Sequence, residues 1–183
     1  MRLGEMKLAH ESFKNASCIA PVHSSYQLTF AEYYRSVGDW NGYLICTRNA
    51  LDFALNKKTI AQAYRNFAVF FQMQHLYQYA AFMYYLSLEF DSMKNFVKSQ
   101  LEVLFQKANT RFNQPTEPEI EKLLEAYDIP YGANFSVLEL ALNMAVYFET
   151  TKRAHLALEM YEIILELTGD EEIHSKIRLL KKG

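Results

Sequence analysis

The chain has 183 residues, half of them apolar, and its 19 basic and 21 acidic residues leave a formal charge of −2. Such a balance lacks the basic excess that grips a phosphate backbone, which argues against direct contact with nucleic acid. Thirteen Tyr and thirteen Phe supply core material, while six Gly and four Pro are too few for the many tight turns of an all-β fold, so an all-α chain is expected.

The first stretch, "MRLGEMKLAHES", lacks the apolar core of an export signal. The longest apolar run, around Phe67 to Phe71, falls well short of the roughly 18 residues of a membrane span. Cys18 and Cys46 have no ligand spacing between them or with histidine and read as buried, reduced thiols. A cytoplasmic protein is therefore expected.

In chain order, residues 1–21 carry Gly4 at a turn, Ala9, Phe13 and Ala16 at helix-packing spacing, and Pro21 as a stop. Gly4, Ala9 and Ala16 lie 34 residues before Gly38, Tyr43 and Ala50. This half unit leaves Leu8, Ala9 and Phe13 uncovered, so self-association through that helix, or a longer parent chain, is expected. Residues 24–57 form the first whole unit: Phe30, Ala31 and Tyr34 in one helix, Gly38-Asp39-Trp40 at the turn, and Tyr43, Thr47, Ala50 and Leu51 in a second. A junction at Asn56 to Lys58 stretches the spacing. Residues 61–94 repeat the unit with Tyr64, Phe67, Ala68 and Phe71, then Ala80, Tyr84, Ser87 and Leu88.

Over residues 95–135 the pattern loosens into an irregular hairpin. Its first helix recurs at threes and fours from Met93 to Phe112, and its second is short, with Thr116 as N-cap, Glu119 three residues on and Pro118 in the first turn. Pro130 and Gly132 end it. Residues 138–169 restore the unit with Met144, Ala145 and Phe148, then Ala157, Tyr161, Ile164 and Leu165, although "TTKRAH" replaces the Gly-Asp turn. After Gly169, residues 170–183 run from acids to bases with Ile173, Ile177 and Leu180 on one face, which reads as a polar capping helix.

These residues resemble the tetratricopeptide (TPR) repeat, whose pattern is W-x2-L-G-x2-Y, then A-x3-F, then P, with a period of 34 residues. The resemblance covers nearly the whole chain and implies an α-α superhelix of antiparallel helix hairpins. It also implies a concave groove, built from the first helix of each unit, that binds a peptide or a partner protein. In this register the groove positions are Leu28, Thr29, Glu32 and Arg35; then Gln62, Arg65, Asn66, Val69 and Gln72; then Glu139, Leu142, Asn143, Val146 and Glu149. Asn66 and Asn143 occupy equivalent places, and an amide can both donate to and accept from a peptide backbone. The carboxylate clamp of chaperone-binding TPR proteins is incomplete here: Arg65 and Asn66 are present, but Leu28, Glu32 and Glu139 stand where basic or amide groups would help.

The segment "FSVLELALNMAVYFETTKRAHLALEMYEIILEL" is also similar, more distantly, to the closing repeats of bacterial peptide-pheromone receptors of the Rap, PlcR and NprR type. That similarity implies, as an alternative, the C-terminal sensor part of a peptide-responsive regulator. No P-loop, nucleophile elbow, H-E-x-x-H or dinucleotide glycine pattern occurs, and His10, His23, His75, His155 and His174 are scattered singly. A non-enzymatic adaptor without metal or cofactor is therefore expected.

Overall fold

A left-handed residue and a close helix approach make the first hairpin. The computed structural model describes residues 23–182 together with Leu8, Glu11 and Ser12. Helix α1 (Ser24–Val37) ends at Gly38, whose φ of 77° suits glycine, and α2 (Trp40–Asp52) starts from Asp39, whose side chain accepts from Gly42 N–H at 2.9 Å. A Cβ at Gly42 would sit 2.6 Å from the Tyr34 ring, so the hairpin closes only with glycine there.

Helix α3 (Lys57–Met73) follows a short linker, with Asn56 accepting from Thr59 N–H at 2.8 Å as its N-cap. The junction expected at Asn56 to Lys58 is thus the cap and first turn of α3. Helix α4 (Tyr77–Phe90) lies along α3, and α5 (Lys94–Ala108) along α4. Helices α1 to α5 each pack against the next, α1 also touches α3, and every described element is a helix: the chain is an all-α superhelix.

The irregular stretch takes a different form from a hairpin. Helix α6 (Glu117–Ala126) buries Ile120, Leu123 and Leu124 in the same core as α3 and α4. Tyr127 then stacks edge-on against Phe71 and Tyr79. Its start is as expected: the Glu119 carboxylate accepts from Thr116 N–H and from the Thr116 hydroxyl, both at 2.8 Å.

Helices α7 (Phe135–Thr150), α8 (Ala154–Thr168) and α9 (Glu171–Leu180) form a second core of Ala141, Ala145, Ala157, Tyr161, Ile164, Ile173 and Ile177. Leu55 reaches into it from the first part, and Leu167 reaches back. The turn that lacks Gly-Asp is closed by Lys152 with φ 59°. Four tyrosines are fully buried: Tyr64 and Tyr84 in the core of α3 and α4, Tyr161 in the second core, and Tyr43 in a smaller cluster with Phe30, Ala31 and Cys46. Each hydroxyl finds a partner, at Asn66, Pro130, Gln100 and Glu149 respectively, as a buried phenol requires.

The half unit expected over residues 1–21, with Gly4, Ala9, Phe13, Ala16 and Pro21, lies outside the described residues, as does Cys18. So does the surface through which self-association was expected, apart from Leu8, which is exposed. Among the described residues, no helix is long and apolar enough to cross a membrane.

Candidate functional site

Helices α1 and α3 touch, and the crevice between them is where part of the expected groove residues meet. One cavity of about 250 Å³ is lined by Leu28, Thr29 and Glu32 from α1 and by Gln62 and Asn66 from α3. A second, of about 280 Å³, shares Leu28 and Gln62 and extends past Ser25, Thr59 and Arg65 to Asn56 and Lys58. Together they form a continuous trough along the α1–α3 seam.

The floor of the trough is a chain of polar side chains one helical turn apart on α3. Arg65 is 4 % exposed and faces the Asp91 carboxylate of the α4 C-cap at 3.3 Å. Its Nε and Nη2 donate to Gln62 Oε1 at 3.3 and 3.0 Å. Gln62 Nε2 in turn donates to Asn66 Oδ1 at 2.9 Å. Asn66 is 2 % exposed, its carbonyl accepts from the Tyr43 hydroxyl at 3.1 Å, and its Nδ2 is buried with no hydrogen-bond partner. Leaving such a donor unpaired costs about 1–3 kcal/mol. The fold bears that cost at a residue that lines the cavity.

Above the floor, Glu32 and Arg35 pair with each other on α1 and are about half exposed. Charge there is balanced within one helix, so the rim is polar without a strong sign. Their influence reaches Tyr43: burial first, and the Glu32 carboxylate second, push its hydroxyl well above the usual phenol range.

The expected groove residues are therefore not equivalent. Glu32, Arg35, Gln62, Arg65 and Asn66 gather along the α1–α3 seam, but Arg65 is sequestered by Asp91 and Gln62. Gln72 is half-buried farther along α3 and lines neither cavity. Glu139 and Asn143 are exposed on α7, beside Leu140, Leu142, Met144, Val146 and Tyr147, which are exposed as well. The buried Asn66 and the exposed Asn143 thus sit in opposite environments, although the repeat register pairs them.

Two features of the fold leave no mark in the helical spacing of the sequence. Asp91 completes the Arg65 network from 26 residues away, beyond the reach of helical spacing. Between α4 and α6, a cavity of about 490 Å³ is walled by Tyr85, Leu86, Ile120 and Leu124, with Glu89 and Tyr131 at its mouth. There the Tyr131 hydroxyl donates to Glu89 at 2.6 Å, and that carboxylate, with burial, pushes it up to about 12. The Tyr85 hydroxyl there donates to the Phe112 carbonyl, so both tyrosine hydroxyls of this cavity are paired, whereas the Asn66 Nδ2 beside the α1–α3 trough is not.

Among the described residues, no group of three His, Cys, Asp or Glu side chains is placed to hold a metal ion. Cys46 is a free buried thiol. In comparisons with known proteins, no family model and no curated protein matches the chain.

Proposed function

We propose that the chain is a non-catalytic binding module of the TPR type that takes a peptide or an extended segment of a partner protein in the trough between α1 and α3. The observation that carries this reading is Asn66, a lining residue of that trough whose buried Nδ2 lacks a partner. A peptide main chain offers a carbonyl about every 3.3 Å, so an extended segment can meet such a donor whatever its sequence. Leu28 and the methyl of Thr29 provide the apolar contact beside it. The reading places the protein in a reducing aqueous compartment, to which a free buried thiol is suited.

Selection of a random peptide library on the immobilised chain tests this. Enriched peptides are expected to bind with micromolar affinity and to lose at least tenfold on Asn66→Ala, while circular dichroism of the variant stays helical. Peptides that bind Asn66→Ala and Gln62→Ala as tightly as the parent chain would place the binding surface elsewhere.

A further inference from the structure

A guanidinium carries only donors, and that fixes the direction of everything hydrogen-bonded beyond it. Asp91 holds Arg65 in place, and two Arg65 N–H groups converge on one atom of Gln62, which must therefore be the amide oxygen. The Gln62 amide nitrogen then faces Asn66, so the Asn66 atom it meets must be oxygen. What is left over, at the end of the chain, is the Asn66 NH2. An isolated asparagine could turn its amide over and present either group. Here a flip would set nitrogen against nitrogen.

From this polarity we infer that Arg65 is a positioning residue rather than a ligand contact: through Gln62 it locks Asn66 as a donor, so the trough selects a hydrogen-bond acceptor, a carbonyl or a carboxylate oxygen. The inference rests on the trough being the binding site, and it adds the chemistry of the group taken there. Each guanidinium nitrogen of Arg65 is engaged by Gln62 or Asp91, whereas Asn66 Nδ2 is engaged by nothing. Glu32, which lines the same cavity as Asn66, is engaged by Arg35, which leaves the acceptor oxygen without a competing carboxylate bonded to Asn66.

Gln62→Glu separates positioning from structure. The introduced carboxylate still accepts from Arg65, but it can no longer donate to Asn66, so the Asn66 amide is expected to turn over and present oxygen. NMR of the free protein reads this directly. In the parent chain, scalar coupling across the hydrogen bond is expected from Gln62 Nε2 to Asn66 Cγ. In Gln62→Glu the coupling should run from Asn66 Nδ2 into the new carboxylate. Arg65→Met, which frees Gln62 to turn, should weaken the parent coupling by half or more. Coupling in the parent from Asn66 Nδ2 to Gln62, or a parent pattern unchanged in Arg65→Met, overturns the positioning role whatever the trough binds.

Titration with small probes then tests the acceptor preference. N,N-dimethylacetamide, a carbonyl without N–H, and acetate are expected to shift the Asn66 Nδ2 signals saturably in the parent, with at least a fivefold smaller response in Gln62→Glu. The larger of the two responses tells a main-chain carbonyl from a terminal carboxylate. Methylammonium, which can only donate, should leave these signals in place. Shifts at Leu28 and Thr29 without any at Asn66 Nδ2 overturn the acceptor assignment and leave the trough standing. With the coupling as expected, silence at all of these residues overturns the acceptor assignment and the trough together.

Discussion

Tyr64 on α3 accepts the backbone N–H of Gly132 at 2.7 Å, and the same hydroxyl donates to the Pro130 carbonyl at 2.8 Å. One side chain thus satisfies two main-chain polar groups of the segment that leads from α6 to α7. Buried main-chain groups need partners, and Gly132 N–H has Tyr64 for its own. Arg48 adds a bond to the Tyr127 carbonyl at the other end of the same segment. Tyr64→Phe is expected to keep the packing, to strand Gly132 N–H, and to destabilise by about 1–3 kcal/mol. Urea denaturation measures the loss, and hydrogen exchange at Gly132 should accelerate with it. Unchanged exchange at Gly132 would show that the segment is held by something else.

The small residues of the repeats make a second, purely steric prediction. Ala68 on α3 and Ala80 on α4 are both fully buried where those two helices run together. Close helix approach leaves no volume for a branched side chain. Ala68→Leu should therefore destabilise by about 1–3 kcal/mol through overpacking, although it adds apolar surface. A thermal midpoint equal to that of the parent would mean that α3 and α4 meet elsewhere.

What could be read in advance follows from the range of the interactions. Helix existence, the Thr116–Glu119 cap and the small packing residues all rest on contacts three or four residues apart, and these repeat in the sequence. Even the Gln62–Asn66 and Gln62–Arg65 pairs sit at helical spacing on α3. The environment of each groove residue does not. Whether Arg65 reaches outward or inward depends on Asp91, and whether an asparagine is buried depends on which helix lies over it. Asn66 has α1 beside it, while Asn143 is exposed on α7 among apolar side chains that are themselves uncovered. The course of α6 was hidden for a similar reason, since it depends on Tyr64, Phe71 and Tyr79 meeting residues 127 to 132.

Alkaline pH should unfold the protein earlier than its ionic balance alone would. Burial pushes the Cys46 thiol up to about 11 from an ordinary 9.0, with the Asp39 carboxylate adding to it, and the Tyr84 hydroxyl up to about 12 from 10.0. Burial moves Tyr43 and Tyr64 in the same direction. Each group holds its proton more tightly folded than unfolded. The stability this contributes is fully present below the unfolded pKa and is lost as pH rises through the folded one. The thermal midpoint should therefore be flat up to about pH 9 and fall between about 9 and 12. Cys46→Ala should remove the earliest part of that fall. Near pH 8 the parent Cys46 should react with a thiol reagent only at the rate of unfolding.

One buried hydroxyl predicts a gain instead of a loss. Thr47 on α2 is fully buried, and its Oγ1 has no hydrogen-bond partner. Ser87 on α4 is equally buried, but its hydroxyl donates to the Tyr84 carbonyl at 2.7 Å. The first hydroxyl lost its water on folding and gained nothing, whereas the second exchanged one bond for another. Thr47→Val keeps the β-branched shape, so the rotamer cost of sitting in a helix hardly changes. The substitution should stabilise by about 1 kcal/mol, seen as a higher urea midpoint at constant slope. Ser87→Ala should be neutral or destabilising. If Thr47→Val lowers the midpoint as well, then Thr47 Oγ1 is satisfied in solution, and the interior beneath α2 is more polar than its side chains indicate.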